Sequence, residues 1–443
     1  MDMTGQLPED MLLDVLRRLP PRSLAACRCV RKEWRAAVDG HRLLRTDLLP
    51  LLLDGVFLEL RDPDLPLERM EHPMPALFSR RTTARRIAAS LGYPDTPSVF
   101  EYGVQDCCNG LLLLLCDYVV NPATLQWVEL PAAPPRCCDL CMSGHYLVFD
   151  PTVSQHYEVL SVPDIPWNLP TGHISKHACD DKPVSEMEWP PSPYVVDVFS
   201  SRTGEWKERL FVREGKAAGT VADCRSKERR ILLYAAYWRG ALYVSCEDDF
   251  VLRMNLSNNK YQVIQCPQGK KLASYAPRLG KSKKGVYCAF RVARDAFQLW
   301  FLNETCGKME WVLNNDINFE HVPKCPCNFV RGSWILQGSD SDEELVEDNS
   351  EWDPNNDNVV STEDWVAKYG SNSTIDFLGF HPYKEIALFE SRGNVMAYHM
   401  NTLKVRDLGH IKMGRNEIEC SFPYMPCWMG PLPGSHYRTQ FCS

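Results

Sequence analysis

Hydrophobic and polar positions follow two different rhythms along this chain. Over the first forty residues apolar side chains recur at helical spacing, while from Gly110 onward they come in short runs separated by turn residues. In the first region Leu12, Val15, Leu16 and Leu19 fall at i, i+3, i+4 and i+7, which predicts one apolar face of a helix. Pro8 suits the first turn of that helix, where its missing N–H costs nothing, and Glu9 and Asp10 sit well against the positive end of the helix dipole. Pro20–Pro21 stops the helix, because a residue before proline is pushed out of the α region. Pro21 opens a second short helix carrying Leu24 and Cys27, and a third runs from about Val30 through Trp34 and Val38 to Gly40. A unit of about forty residues buries too little apolar surface to be stable alone, so this one needs a partner surface, in trans or in the rest of the chain.

Residues 45–108 carry a weaker pattern: Val56–Leu60 alternates like a strand, and Asp62–Pro75 reads as a proline- and charge-rich connector. From Gly110 the chain repeats one grammar, in which an apolar strand, a polar turn, a second strand, a turn rich in Asn, Ser or Thr and a third strand follow in order. It appears as GLLLLLCDYVVNPATLQWVELP at Gly110, and again in the stretches opening at Gly240, Gly285 and Lys384. The segment Tyr146–Leu210 supplies another set around a long insertion. The closing aromatics Trp127, Trp206, Tyr261 and Trp311 are 79, 55 and 50 residues apart, and removing the proline-rich insertion at 164–193 brings the first interval to about 50. That period predicts a β-propeller of kelch type, although short strands so spaced also fit a two-sheet sandwich. Five sets are clear. A sixth is expected from N-terminal strands pairing with the C-terminal segment, which closes the ring and removes exposed edges.

Composition narrows the class. Apolar residues make up 44% and charged residues 24% of the 443, which argues against wholesale disorder. The formal net charge of −8 disfavours nucleic acid as a partner. Acidic residues at the N-terminus argue against a signal peptide, and the apolar runs Leu48–Leu53 and Leu111–Val120 fall short of a membrane span, so no membrane association is expected and a cytoplasmic or nuclear location is. Nineteen cysteines, several within strand-like segments (Cys116, Cys246, Cys288), fit a reduced compartment in which thiols behave as small hydrophobes. The sequons at Asn255, Asn303 and Asn372 are then expected to stay unmodified.

Candidate chemistry is sparse. Cys138 and Cys141 have CxxC spacing beside Cys137, with Cys325 and Cys327 far downstream and His173, His177 and Cys179 in a loop; a second local pair at zinc-site spacing is missing, so no metal is expected. The sequence has no G-x-S-x-G elbow, H-E-x-x-H helix or P-loop, and its eleven histidines are scattered, so neither cofactor nor catalytic residue is assigned. Arg80, Arg81, Arg85 and Arg86 read as a solvated charged face, since no aromatics interleave with them. Ser339–Asn358 holds nine acidic residues and no basic one and reads as a solvated loop in which Ser339 and Ser341 are candidate phosphorylation sites.

The order LP-ED-LL-x-V-L-RRLP, then S-L, then C-x-V-x-K-x-W, resembles the F-box, by which substrate receptors dock onto the Skp1 adaptor of cullin-RING ubiquitin ligases. GLLLL with NPATLQW, FDPTVSQHYEVL, VDVFSSRTGEW and SFPYMPCW resemble the F-box-associated β-propeller region of plant F-box proteins, over roughly residues 105–430. The resemblance implies an α+β multidomain chain: a three-helix F-box at 1–48, a linker with first strands at 49–108, and a mainly antiparallel β domain at 109–430. That domain would be a propeller of about six blades with insertions near 164–193 and 338–372, followed by a tail at 431–443. It places Leu7, Pro8, Leu12, Leu16, Leu24, Val30 and Trp34 in the adaptor-docking module, some facing the adaptor and others holding the helices together. The implied role is non-enzymatic: a Skp1-like adaptor and, through it, a cullin at one end, and an unidentified protein substrate at the other. An F-box scaffold outside the ligase and a propeller enzyme with a helical cap are the competing readings.

Overall fold

The computed structural model describes residues 9–19, 27, 31–41, 43, 53–61, 75–80, 103–115, 117–134, 143–165, 184–224, 234–246, 250–267, 277–305, 309–319, 334–336, 374–412, 416–428 and 432–434. Two helices, α1 (Glu9–Arg17) and α2 (Lys32–Gly40), stand at the N-terminal side, and most of the other described residues lie in antiparallel strands. Among the described residues, all strands but the short pair Glu188–Trp189 and Gly219–Thr220 group into six four-stranded units, taken in chain order with the one that joins the two ends of the chain first.

Unit 1 runs in the order Glu417–Tyr424, Gly55–Arg61, Pro75–Arg80 and Trp334–Leu336. Unit 2 is Val104–Cys108, Leu111–Leu114, Tyr118–Asn121 and Gln126–Glu129. Unit 3 is Ser143–Val148, Glu158–Pro163, Tyr194–Ser200 and Glu205–Arg213. Unit 4 is Ala235–Trp238, Ala241–Cys246, Phe250–Asn255 and Lys260–Gln265. Unit 5 is Arg278–Lys281, Val286–Ala293, Ala296–Asn303 and Glu310–Asn318, and unit 6 is Asp376–Phe380, Ile386–Ser391, Asn394–His399 and Lys404–His410.

Two turn types generate this repetition. Tight turns with φ positive at both central residues occur at Asn109–Gly110, Arg239–Gly240 and Arg392–Gly393, the geometry whose twist suits a two-residue hairpin. Before the fourth strand, a residue of positive φ recurs in units 2, 3, 4 and 6: Leu125, Gly204, Asn259 and Leu403. Side chains closing the third strand help set that second turn, since the Asn121 and Asn255 carbonyl oxygens accept the N–H groups of Ala123 and Ser257 at 3.1 and 3.0 Å. The Asn/Ser/Thr-rich turns of the sequence are these corners, and the closing aromatics Trp127, Trp206, Tyr261 and Trp311 all lie on fourth strands.

The units form a closed cycle. The strand Glu417–Tyr424 touches Val104–Cys108 on one side and Asp376–Phe380 on the other; Val104–Cys108 touches Ser143–Val148, and Arg278–Lys281 touches both Ala235–Trp238 and Asp376–Phe380. Units 3 and 4 share one core, in which Tyr146 and Val148 pack with Leu242 and Leu252, and a parallel bridge joins Val212–Arg213 to Lys260–Tyr261. A second parallel bridge sets Trp334 beside Gly409, where a β-carbon would collide with the Trp334 carbonyl, so only glycine fits. Each unit packs a face on each neighbour, which is a propeller-like arrangement and not two stacked sheets.

Closure is made in unit 1 by the expected meeting of strands from the two ends of the chain. Phe57 stands opposite both Leu77 and Phe422, and its ring meets Tyr424 edge-on at a 5.0 Å centroid separation. The unit also takes Trp334–Leu336, from between units 5 and 6, as its outermost strand; nothing in the sequence pattern predicts it. Nor does the repeat grammar, which matches second to fourth strands, expose the first strand of each unit. The described end of the 164–193 insertion is ordered against unit 4: Glu188–Trp189 pairs with Gly219–Thr220, and the Tyr261 hydroxyl lies 2.9 and 2.7 Å from the Pro190 and Pro191 carbonyl oxygens.

Candidate interaction surfaces

In α1, Leu12, Leu13 and Leu16 are buried against Ala37 and Val38 of α2, with Leu19, Cys27, Trp34 and Leu43 half-buried around them. Arg17 in the last turn suits the negative end of the dipole, and its exposed pairing with Asp14 at 3.6 Å is worth only a few tenths of a kcal/mol. The Leu19 N–H bonds to the Leu16 carbonyl at 3.2 Å, tightening the end of the helix just before Pro20. Beyond α2 the Leu43 N–H reaches back to the Val38 carbonyl at 3.0 Å, which folds Leu43 onto the helix pair.

Val15 departs from the expected face. It does not share the burial of Leu12, Leu16 and Leu19; it is 53% exposed, beside Met11 at 57%, and Leu13 takes its place in the core. At about 100° per residue, Leu13 and Val15 flank the Leu12–Leu16 line on opposite sides. The partner helix α2 packs on the Leu13 side, which leaves Met11 and Val15, one turn apart, as an outward apolar stripe. Of the seven residues assigned to adaptor docking, Leu12 and Leu16 thus hold the helices together, and Trp34 is half-buried at their edge. Leu7, Pro8, Leu24 and Val30 lie outside the described residues, as do Cys137, Cys138, Cys141 and the acidic stretch 339–358.

The second surface is the centre of the ring, where first strands of units 1, 2, 4, 5 and 6 line a cavity of about 100 Å³. Asp106 is 7% exposed and accepts N–H groups from Leu147 and Cys107, both at 2.8 Å; burial pushes its carboxyl up to about 7. The Lys281 ammonium donates to the Asn109 side-chain carbonyl at 2.6 Å, and the Asn109 amide donates to the Phe149 carbonyl at 2.6 Å, tying units 5, 2 and 3 together. Burial pushes the Cys108 thiol up to about 12 and raises Cys107 as well, which leaves both as poor nucleophiles. His381 is driven down to about 3 by burial, and its Nδ1 accepts the Tyr383 N–H at 3.1 Å. These groups are spent on holding strands, and no nucleophile–base pair is assembled among them.

Carboxylates act as clasps between units, two of them buried (Glu59 and Glu385) and one exposed (Glu304), and the sequence pattern did not single them out. Glu59, 2% exposed in unit 1, accepts the Val104 N–H of unit 2, and burial pushes its pKa up to about 8. Glu385 of unit 6 accepts the Tyr287 hydroxyl of unit 5, and Glu304 of unit 5 accepts the Tyr243 hydroxyl of unit 4. For Glu59 and for Asp106 the signal that could have found them was an acidic residue at a core position of a strand, in Gly55–Arg61 and Val104–Cys108; Glu385 and Glu304 lie just outside their strands and carry no such signal.

Known proteins align with both parts. Residues 4–48 match the F-box-like family. "Putative F-box protein At3g16210" of Arabidopsis thaliana is 24% identical over 272 residues, 60% of this chain and 62% of that protein. "Putative F-box protein At5g52610" of the same plant is 24% identical over 69% of this chain and 76% of its own length. The Arabidopsis "F-box only protein 12" is 40% identical over 59 residues, 12% of this chain and 15% of that one. The chain thus spans 62% of the length of the first of these relatives. Among solved structures, YCF48 bound to D1 peptide matches with a TM-score of 0.32 at 5% identity, over 81% of this chain and 78% of that one. Apo AztD from Citrobacter koseri matches at 0.31 and 11%, over 84% and 99%. Scores this low carry no weight, and strand order alone defines the fold. The F-box-like match at residues 4–48, ahead of a mostly antiparallel β domain, and the matches to putative Arabidopsis F-box proteins make this chain similar to plant F-box proteins. Such proteins are in general non-catalytic adaptors. Among the described residues no helix is long and apolar enough to cross a membrane.

Proposed function

We propose that this chain is the substrate-recognition subunit of a Skp1–cullin–F-box ubiquitin ligase. The F-box binds a Skp1-like adaptor and through it a cullin, and a six-bladed propeller holds a target protein for ubiquitination in the cytoplasm or nucleus. The single observation that carries the reading is the helix pair itself: a small core of five aliphatic side chains beside an outward stripe of Met11 and Val15. So small a unit gains stability when a partner covers that stripe. The closed cycle of six units supports the propeller, and the general role of F-box proteins as non-catalytic adaptors supports a role without chemistry of its own. Catalysis is then by proximity, with the target's lysines held near a ubiquitin-charged enzyme supplied by other subunits.

The test is co-purification of the full-length protein and of a Met11→Asp, Val15→Asp variant from plant cells with the proteasome inhibited. Adaptor and cullin are expected with the parent and lost from the variant, while proteins held by the β domain remain with both. Adaptor and cullin recovered equally with both would overturn the docking surface. Recovery with neither would overturn the ligase role.

A further inference from the structure

The turns that join first to second strands in units 2, 4, 5 and 6 meet on one face of the ring, at the mouth of the central cavity. The Ser282 hydroxyl of unit 5 donates to the Lys384 carbonyl of unit 6, and the Lys284 N–H reaches the Glu385 carboxylate at 3.2 Å. Asn109, in the matching turn of unit 2, accepts the Lys281 ammonium at 2.6 Å and the Tyr383 hydroxyl at 3.4 Å. On the unit 4 side, a β-carbon on Gly285 would lie 3.9 Å from the Trp238 indole nitrogen. The Arg239 guanidinium sits over that indole, 5.1 Å from the ring centroid.

These turns bring together five cations, Arg239, Lys281, Lys283, Lys284 and Lys384, of which Arg239, Lys283 and Lys284 are exposed. Among the described residues, the carboxylates carried by the same ring of turns are Glu385 and Asp150. Glu385 is buried, accepts the Tyr287 hydroxyl and lies 3.8 Å from the Lys284 ammonium. Asp150, from unit 3, accepts the Thr152 N–H and hydroxyl at 3.0 and 2.6 Å. With both counted at full charge, five cations against two carboxylates leave an excess of three at the mouth. Asp106 lies deeper, its carboxyl occupied by the Leu147 and Cys107 N–H groups. Farther out, Glu304 is paired with Arg253 at 3.8 Å, and Glu310 of unit 5 is offset by Lys404 of unit 6. The same field reaches His399, which burial and then Arg406, Lys384 and Lys404 hold below its ordinary range. The acidic stretch 339–358 is attached at the opposite end of the ring. Trp334–Leu336 runs parallel to Lys404–His410, away from these turns, and Asp376–Phe380 runs back toward them.

We propose that this face takes an acidic segment of the target polypeptide, a short run rich in aspartate and glutamate. The inference rests on reading the β domain as the target-binding domain, and it names the target's chemistry. Four of the five cations are lysines, compact charges with rotatable donors and no planar fork. They suit several carboxylates spread along a chain better than one phosphate gripped bidentately. Screening over about 8 Å at physiological ionic strength lets a short segment meet the local excess alone. A nucleic-acid duplex or an anionic membrane would extend past the patch and meet the rest of a chain whose formal net charge is −8. Arg239 and Lys281 already rest over the Trp238 and Tyr383 rings, 5.1 and 5.9 Å from their centroids, which lowers the entropy lost when a partner fixes them.

The probe is a short fluorescein-labelled peptide of glutamate and aspartate interspersed with serine, titrated into the full-length protein by fluorescence anisotropy without adaptor. Saturable micromolar binding is expected at low salt, weaker at physiological salt and lost when the peptide's carboxylates are replaced by amides. Lys283→Glu with Lys384→Glu is expected to weaken binding at least about tenfold with an unchanged melting curve, and Lys283→Glu alone by about threefold. Lys207→Glu with Lys216→Glu makes the same change of net charge at exposed positions elsewhere and is expected to bind like the parent. No saturable binding, equal binding of the amide peptide, or equal weakening by the two double variants would each overturn the proposal. So would a tighter hold on a neutral peptide bearing one phosphoserine, on a DNA duplex or on phosphatidylserine vesicles. Adaptor binding is scored separately on the same preparation: peptide failure with adaptor retained sinks this inference alone, and the reverse sinks only the docking surface.

Discussion

The helix pair buries five side chains, all of them leucine, alanine or valine, and leaves Met11 and Val15 facing out. In the ring the single strand Gly55–Arg61 completely buries Val56, Phe57 and Leu58 on two faces, with Glu59 buried beside them, because a neighbour covers each side. The difference lies in how each region ends. The helical module stops with apolar surface still uncovered, whereas the ring returns its last described strand to its first and leaves its units covered on both flanks. The first is built to be completed by another molecule, and the second to stand while its outer edges and loops are presented.

The contrast breaks most severely if the ring is opened. Removing Glu417–Tyr424 strips Cys420, Phe422 and Tyr424 from the core they share with Phe57 and exposes two unit flanks. We expect no cooperative thermal transition from the β domain of such a chain, as read by near-ultraviolet circular dichroism; a native-like transition would mean that closure is dispensable.

Glu59 tests closure more gently. Its folded pKa, pushed from an ordinary 4.5 up to about 8, means that the folded protein keeps a proton which the unfolded chain releases. Its contribution is therefore fully present below about pH 4.5, falls as pH rises toward 8 and is level above that. At about 1.4 kcal/mol per pKa unit, Glu59→Gln should be more stable than the parent by roughly 4 kcal/mol at pH 8.5, relative to their difference at pH 4. Urea denaturation at the two pH values measures this, and an equal difference at both would show that the carboxyl is not buried as a clasp.

A smaller effect is expected in the helical module. Leu16→Ala leaves a cavity against Ala37 and Val38 and should cost about 3 kcal/mol there, enough to unfold so small a core, with no shift in the melting of the ring. Amide hydrogen exchange over residues 9–41 reads this directly. A lowered melting point of the β domain would mean that the two regions are one cooperative unit.

Much of this contrast was legible in the sequence, for identifiable reasons. The strands and corners of units 2–6 follow from apolar runs and turn residues, since Asn121, Gly240 and Asn255 have local jobs that any such chain would need. The first strands escaped because Val104–Cys108 and Arg278–Lys281 carry charges at the channel and break the alternation. Trp334–Leu336 escaped because its partners, Pro75–Arg80 and Gly409, lie far away along the chain. On α1 the periodicity predicted an apolar face, but Leu13 and Val15 flank that face equally. Only the position of α2 decides which turns inward.

The most direct test of an open helical module beside a closed ring is differential scanning calorimetry of the full-length protein with and without a saturating Skp1-like adaptor, repeated with Met11→Asp, Val15→Asp. Two transitions are expected, of which the adaptor raises only the one belonging to the helical module. The double substitution is expected to abolish that shift without moving the ring transition. A shift of both transitions together, or one that survives the substitution, would contradict the division between the two regions.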